Sequence, residues 1–234
     1  IIDECLKING TIPYAVAGHS LGEFSALVSA GVLNFEDALQ IVKVRAHAME
    51  HAGKINPGTM AAIIGADEIQ IQTICAQAGM VVPANLNAPD QVVISGALEA
   101  VDIALATAKK LGIRRTVPLN VSGAFHSPLM KSAREPLQEV INSVTFQNAK
   151  VPVYQNFVAK AETDVKNIRY NLLHQLENPV LWLDTIRKMV QNGMTEFIEV
   201  GPGKKLNGLN RCINKNIITH NFDKMEHLDA CPML

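Results

Sequence analysis

The chain has 234 residues, of which 48% are hydrophobic and 18% are charged, and its formal net charge is -1. This composition allows a full hydrophobic core and excludes a disordered chain. It also argues against a nucleic-acid-binding protein, because such proteins carry a strong excess of basic residues. No apolar run is long enough to span a bilayer and no signal peptide is evident, so we expect a soluble, cytoplasmic protein with no membrane partner. The four cysteines are scattered without Cys-x-x-Cys pairs, which favours reduced thiols and predicts no metal site.

The first motif along the chain is Gly-x-Ser-x-Gly at residues 18–22. Residues 14–17 predict a short buried strand before it, and residues 21–30 predict a helix after it. A serine on such a sharp turn has its hydroxyl exposed at the edge of the sheet, and the two glycines remove side chains that would clash in the bend. The pattern predicts Ser20 as a nucleophile and the backbone N–H of Leu21 as an oxyanion donor. The alternative is a plain Gly/Ser turn.

The second helix is predicted from an N-cap at Asn34 to about residue 51. On a helical wheel, Arg45 falls in the middle of the apolar stripe of this helix. An arginine that points inward needs a partner. It is either a structural residue in an ion pair or a guanidinium group that binds a carboxylate, for which arginine is better suited than lysine.

The middle of the chain predicts the order strand, helix, strand, strand, helix, strand, which is the ferredoxin-like order. The six predicted elements are residues 59–64, 67–78, 81–87, 91–95, 98–111 and 114–121. The expected fold class is therefore α/β, with an α/β-hydrolase-like parallel-sheet domain formed by residues 1–53 and 127–234. Residues 54–126 are expected to form an inserted ferredoxin-like subdomain. Asn85 and Asn87 either face the cleft between the two parts or serve only to form the turn.

The α/β pattern resumes after this segment. Ser127 is expected to cap a helix with Pro128 at its first position, and Pro136 predicts a break near Arg134. Further strands and helices are predicted at residues 151–154, 165–176, 180–191 and 195–200, with a helix starting at Lys204. Beyond residue 218 the sequence loses its periodicity and predicts a tail.

A serine nucleophile needs a base, and His126 is the best placed histidine because it lies between the two predicted parts of the chain. A lone histidine at such a junction is also commonly structural. The acids between Ser20 and His126 include Asp67, Asp90 and Asp102, and none is an obvious partner for the imidazole. A backbone carbonyl is the alternative acceptor.

Several motifs occur together in one order. They are Gly18-His19-Ser20-Leu21-Gly22-Glu23, Arg45, Gly58-Thr59-Met60-Ala61-Ala62, Gln91-Val92-Val93-Ile94-Ser95-Gly96, Gly123-Ala124-Phe125-His126, Asn178-Pro179-Val180 and Glu199-Val200-Gly201-Pro202-Gly203. Together they resemble malonyl-CoA:acyl carrier protein transacylase, the acyltransferase family of fatty acid synthesis. The resemblance covers nearly the whole chain, to about Arg211.

The resemblance implies a ping-pong transfer of a malonyl group from coenzyme A to the phosphopantetheine thiol of acyl carrier protein. It implies that Ser20 attacks the thioester and that His126 takes the serine proton. Arg45 would hold the malonyl carboxylate, and the backbone carbonyl of Gln175 would accept a hydrogen bond from the imidazole. Malonyl-CoA is a substrate here, so no cofactor is expected.

Four further residues are expected to line the substrate site: His19, Phe125, Asn85 and Asn87. The Phe125-His126 pair resembles acyltransferases that take malonyl, because a bulky ring would crowd an α-methyl group. Basic residues such as Lys109 and Lys110 either receive an acidic carrier protein or form an ordinary solvated face. The family expectation is a monomer.

One departure from the family is expected to matter. The family has an N-terminal Gly-Gln-Gly motif that supplies a second oxyanion donor, and the present sequence starts at Ile1 without it. Two other functions therefore stay open beside the malonyl transferase. They are a serine esterase or thioesterase that uses water as the acceptor, and an inactive module that only docks a carrier protein. The pathway stays open between fatty acid and polyketide synthesis.

Overall fold

The computed structural model describes residues 2–8, 10–224 and 226. The helices are α1 (Ile2–Ile8), α2 (Gly22–Ser29), α3 (Phe35–Ile55), α4 (Glu68–Ala78), α5 (Leu98–Lys110), α6 (Arg134–Ser143), α7 (Val165–His174), α8 (Trp182–Gln191) and α9 (Lys205–Ile213). The strands are β1 (Val16–Ala17), β2 (Gly58–Ile64), β3 (Val81–Ala88), β4 (Gln91–Ala97), β5 (Arg115–Pro118), β6 (Val153–Gln155), β7 (Lys160–Glu162), β8 (Glu196–Val200) and β9 (Ile218–Phe222). Within these ranges, none of the helices has both the length and the apolar character that crossing a bilayer requires.

The α/β class is confirmed, and the strands of the described residues form three separate sheets. The first sheet has the order β1-β6-β7, in which β1 and β6 run parallel and β7 returns antiparallel to β6. Helices α2, α3, α6 and α7 pack around this sheet and share one core. Its fully buried members include Leu27, Ile41, Leu137, Ile168 and Leu172. The Gly-x-Ser-x-Gly motif follows β1 directly and ends at Gly22, the first residue of α2.

Helix α3 begins where the sequence predicts, because the Asn34 side chain accepts a hydrogen bond from the backbone N–H of Asp37 at 2.7 Å. The helix ends at Ile55, one turn beyond the predicted end. Gly53 lies inside this helix and packs closely against the segment that leads to His126. A Cβ atom at Gly53 would lie 2.5 Å from the carbonyl oxygen of Ser122.

The second sheet has the order β3-β4-β2-β5, and every neighbouring pair in it is antiparallel. Helices α4 and α5 cover it, and their apolar residues, such as Ile74 and Ala104, share a core with Ile63 and Ile94. The predicted strand at residues 114–121 is shorter in the structure. The strand paired with β2 covers Arg115–Pro118, and one further backbone hydrogen bond joins the N–H of Leu119 to the carbonyl of Met60.

The segment between α7 and α8 joins this second sheet to the rest of the fold through the backbone. The N–H of Val180 donates to the carbonyl of Ala84 at 2.9 Å, and the N–H of Leu86 donates to the carbonyl of Val180 at 2.9 Å. Val180 therefore pairs with β3, and the N–H of Leu181 donates to the carbonyl of Asn156, so neither residue starts the predicted helix. Helix α8 begins only at Trp182.

The predicted break near Arg134 is confirmed. Ser127 caps a 3-10 helix, Pro128–Ala133, and the chain changes to the α-helix α6 at Arg134. Pro136 then lies in the first turn of α6, where a missing N–H costs no hydrogen bond.

The prediction of a tail beyond residue 218 is wrong as far as residue 222. Strand β9 pairs in parallel with β8, with Ile218 opposite Glu196, and forms the third sheet. Its middle residues are polar, which hid the strand from a search for apolar periodicity. The ring of His220 contacts Glu196 Oε1 at 2.6 Å across the pair. The domain assignment of Ile1 and Asn9 and the tail prediction for Met225 and residues 227–234 lie outside the described residues.

Candidate active site

Ser20 lies on the turn between β1 and α2 with a φ of 53°, a left-handed backbone conformation that is unusual for serine. Gly18 is required for this turn, because a Cβ atom there would overlap the backbone of Gly22 and Glu23. Gly22 is not required in the same way, since a Cβ atom at this position meets no atom of the described residues within 4 Å. The expectation that both glycines relieve a clash is therefore wrong for Gly22. No residue in the described ranges accepts a hydrogen bond from the backbone N–H of Leu21.

Ser20 Oγ lies 2.8 Å from His126 Nε2. On the other side of the ring, Nδ1 lies 2.9 Å from the backbone carbonyl oxygen of Gln175. A carbonyl oxygen only accepts, so the proton of the neutral ring is on Nδ1, and Nε2 is free to accept from the serine hydroxyl. The partner of the imidazole is thus a backbone carbonyl, which is the alternative that the sequence left open.

Burial lowers the pKa of His126 from 6.5 to about 3, although the hydrogen bond to Gln175 opposes this change. The imidazole is therefore neutral at neutral pH and is able to take a proton. His126 also has a left-handed backbone, with a φ of 57°. Both members of the pair thus lie on turns that the surrounding structure must hold in place.

Arg45 is only 7% exposed, although it carries a charge. Its Nη2 atom lies 3.2 Å from Ser20 Oγ and 3.2 Å from Gln175 Oε1. Burial lowers the pKa of Arg45 to about 10, and the nearby charge of Glu23 opposes this change. The guanidinium therefore stays protonated at neutral pH. A buried cation beside the serine hydroxyl fits an anionic group on the substrate.

Sequence reasoning missed two polar residues beneath the turn at residues 18–22 that carries Ser20, which we call the elbow. Glu23 is fully buried and accepts hydrogen bonds from Gln155, Asn156 and Gln175. Asn156 is also fully buried, and its amide bonds to the backbone of Ser20 and Gly18. Glu23 is part of the quoted motif, and its place in the first turn of a buried helix was the available signal. Asn156 gave no local signal, because its partners lie far from it in the sequence.

His19 makes its side-chain contacts with β3 and α8. Its Nε2 atom lies 2.8 Å from Asn87 Oδ1 of β3, and its ring lies 5.6 Å from the Trp182 ring. Asn85 is buried and forms an isolated parallel bridge with Val180. The structure thus joins His19 and Asn87 to each other, and their expected contacts with substrate stay predictions.

Phe125 is partly buried and packs against two hydrophobic cores, that of the first sheet and a small one that contains Met60 and Val93. Its ring therefore lies at the boundary between the first two sheets, next to His126 in the sequence. Its role in acyl selectivity stays a prediction.

Within the part of the chain that the structure describes, no group of His, Cys, Asp and Glu side chains has a metal-binding arrangement. The thiols of Cys5, Cys75 and Cys212 are free in this part, and Cys231 lies outside it. Burial raises the pKa of the Cys75 thiol to about 11, so this residue is a poor nucleophile. None of the three described thiols forms a hydrogen bond with the Ser20 and His126 pair.

A family described as "Acyl transferase domain" matches residues 2–210. The malonyl CoA-acyl carrier protein transacylase of Bacillus subtilis is 43% identical over 220 residues, which are 92% of this chain and 69% of that relative. The chain belongs to the malonyl-CoA:acyl carrier protein transacylase family.

Solved structures of family members have the same fold. The transacylase of Xanthomonas oryzae superposes with a TM-score of 0.94 at 37% identity, over 98% of this chain and 76% of that one. A second structure is described as a type II PKS acyl-carrier protein in complex with its malonyl-transacylase. It superposes with a TM-score of 0.93 at 37% identity, over 98% of this chain and 75% of that one.

Proposed function

We propose that this chain transfers a malonyl group from coenzyme A to the phosphopantetheine thiol of an acyl carrier protein through a malonyl ester on Ser20. One observation carries the proposal. A neutral imidazole and a buried cation converge on one hydroxyl, with His126 Nε2 at 2.8 Å and Arg45 Nη2 at 3.2 Å from Ser20 Oγ. The imidazole activates the nucleophile, and the cation is matched to a substrate that carries a carboxylate.

The first half of the reaction makes the ester. Ser20 Oγ attacks the thioester carbonyl of malonyl-CoA while His126 Nε2 takes the serine proton. The negative charge that develops on the carbonyl oxygen faces the free N–H of Leu21. The carbon–sulfur bond then breaks, and the coenzyme A thiolate takes the proton from His126. Throughout this half, the Gln175 carbonyl accepts a hydrogen bond from the Nδ1–H group of His126, and this bond stabilises the imidazolium.

The second half reverses these roles. The phosphopantetheine thiol of the carrier protein gives its proton to His126 and attacks the malonyl ester. Ser20 Oγ leaves and takes this proton from His126, which regenerates the serine hydroxyl and the neutral imidazole. Over both halves, coenzyme A gains the original serine proton and the carrier thiol supplies its replacement. A relative of known structure is named as a complex with an acyl carrier protein, which supports the same class of partner here.

Arg45 separates this proposal from a serine esterase or thioesterase. A bidentate pair with the malonyl carboxylate explains why a charged side chain is buried beside the nucleophile. A neutral acyl group would give this guanidinium nothing to bind. An inactive docking module is also disfavoured, because it has no use for a serine and an imidazole at 2.8 Å.

The finer architecture and the remaining site residues are part of the proposal. We assign residues 1–53 and 127–234 to an α/β-hydrolase-like domain and residues 54–126 to an inserted ferredoxin-like subdomain. The order β3-β4-β2-β5 with antiparallel neighbours supports the second assignment. The link between His19 and Asn87 supports a substrate cleft between the two parts.

The test is the intact mass of the protein after brief mixing with malonyl-CoA, beside a Ser20→Ala control. The expected result is one malonyl adduct that the control lacks and that carrier protein with its phosphopantetheine arm removes. An adduct that persists in Ser20→Ala, or no adduct on folded protein, contradicts the proposal. An adduct that water removes as fast as carrier protein favours the hydrolase.

A further inference from the structure

Beneath the elbow, a network of fully buried polar side chains extends beyond the residues that contact substrate. We propose that Glu23, as an ionised carboxylate, and Asn156 are positioning residues that set the reactivity of Ser20, by fixing the elbow backbone and the Gln175 hydrogen bond to His126. This assignment rests on the proposed function only in taking Ser20 as the nucleophile.

Asn156 follows β6 and clamps the elbow from below. Its Oδ1 atom accepts from the backbone N–H of Ser20 at 2.6 Å, and its Nδ2 atom donates to the carbonyl of Gly18 at 2.6 Å. These two bonds hold both sides of the turn on which Ser20 has its left-handed conformation. Such a conformation is unfavourable for serine and persists only where the surroundings enforce it.

Glu23 holds Asn156 in turn. The carboxylate accepts from Asn156 N at 2.8 Å, from Gln155 Nε2 at 3.0 Å and from Gln175 Nε2 at 3.2 Å. One donor is a backbone N–H. The other two amides are oriented by backbone carbonyls that only accept, since Gln155 Nε2 also donates to Ile168 O and Gln175 Nε2 also donates to Ser20 O.

All three hydrogen-bonding neighbours of the carboxylate are therefore donors. A protonated Glu23 would have no acceptor for its O–H group among them, so the geometry requires the ionised form. Burial raises the pKa of Glu23, and the three hydrogen bonds and the charge of Arg45 oppose that rise. The buried carboxylate thus has both the donors and the nearby cation that a charge without solvent needs.

Gln175 connects this network to the base. Its side chain contacts Glu23, the Ser20 carbonyl and Arg45, and its backbone carbonyl accepts from His126 Nδ1. Loss of the carboxylate therefore affects both reacting partners. Asn156 is then no longer held against the backbone of the elbow. Gln175, whose carbonyl orients the His126 imidazole, is no longer fixed either.

The substitution Glu23→Gln tests the charge with almost no change in shape. The NH2 group of the new glutamine is a donor, and in either orientation it faces another donor. Gln155 Nε2 contacts one carboxylate oxygen of Glu23, and Asn156 N and Gln175 Nε2 contact the other. Glu23→Asp keeps the negative charge, so it tests whether a carboxylate alone restores part of the lost labelling rate. Leu137→Ala is the matched control, because Leu137 lies in the hydrophobic core of the first sheet and its loss lowers stability alone.

The assay is the rate at which a fluorophosphonate probe labels Ser20, measured well below the melting temperature of each variant. We expect Glu23→Gln to be labelled about 100-fold more slowly than the wild-type protein, since small misplacements of reacting groups cost rates of this size. Glu23→Asp should recover part of the rate, and Leu137→Ala should react at close to the wild-type rate. The NMR resonance of the His126 Nδ1 proton should shift in Glu23→Gln and stay in place in Leu137→Ala.

A folded Glu23→Gln protein that is labelled at the wild-type rate overturns the inference. If Glu23→Gln does not fold, Asn156→Ala decides, because it removes the clamp and leaves the carboxylate with its backbone donor. Slow labelling of Asn156→Ala supports the inference and wild-type labelling overturns it. The probe contains no malonyl group, so wild-type protein that is labelled but never malonylated would refute the proposed function alone. Wild-type protein that the probe does not label refutes both.

Discussion

Replacement of Arg45 by alanine should separate malonyl from acetyl transfer. The guanidinium is buried and its Nη2 atom lies 3.2 Å from Ser20 Oγ, so a malonyl group on that oxygen brings its carboxylate within reach. Removing one partner of a buried ion pair costs about 3 to 5 kcal/mol. That cost corresponds to a loss of roughly 200- to 5,000-fold in the rate of ester formation, at 1.36 kcal/mol for each factor of ten.

Acetyl-CoA has no carboxylate, so its transfer should lose only the contact between Arg45 and Ser20 Oγ. One hydrogen bond to a charged group contributes about 1.5 kcal/mol, which is a loss of about tenfold. Arg45→Lys is the matched control, because it keeps the charge and loses the planar fork, and it should give an intermediate loss with malonyl-CoA.

The assay is the rate of Ser20 ester formation from each thioester, followed by rapid quench and intact mass. Circular dichroism checks that each variant is folded, since Arg45→Ala also leaves Glu23 without its nearby cation. Equal losses on malonyl-CoA and acetyl-CoA would refute the carboxylate role. The guanidinium would then act only on the serine hydroxyl or on the fold.

Two further predictions concern the elbow and the base. Because burial lowers the pKa of His126 from 6.5 to about 3, the imidazole stays neutral as the pH falls through 6.5. The rate at which a fluorophosphonate labels Ser20 should therefore stay constant as the pH is lowered to about 5. A rate that halves near pH 6.5 would show that His126 has the pKa of an ordinary histidine and would contradict this prediction. Gly18→Ala should lower the free energy of unfolding by about 3 kcal/mol or more, since the new Cβ overlaps backbone that has no room to move. Gly22→Ala is its control, with open space around the Cβ, and equal denaturation midpoints for the two variants would contradict the steric argument.

The helices and the main contacts of the site were accessible from the sequence because their signals are local or belong to motifs. The cap at Asn34 and the break before α6 both follow from residues within one turn. The structure also brings Ser20, His126 and the Gln175 carbonyl together, as the resemblance implied. The chemical roles of these residues stay predictions.

The parts that were missed depend on partners far away in the sequence. Strand β9 is held by its pairing with β8 and has polar residues where a periodic pattern would need apolar ones. Strand β7 follows a turn in which Ala159 has a φ of 47°, a conformation for which alanine gives no signal. Asn156 is important only because the fold brings it beneath a serine 136 positions earlier.

The backbone hydrogen bonds between β3 and Val180 have a consequence for exchanging parts between family members. Main-chain bonds at 2.9 Å fix the distance between two segments whatever side chains they carry. The four-stranded sheet is thus attached by a backbone pairing, that of Val180 with Ala84 and Leu86. This pairing tolerates changes of side chain but not a change in register. A chimaera that takes residues 58–118 from one relative can keep its own residues 178–181, provided that no insertion shifts the pairing of Val180 with Ala84 and Leu86.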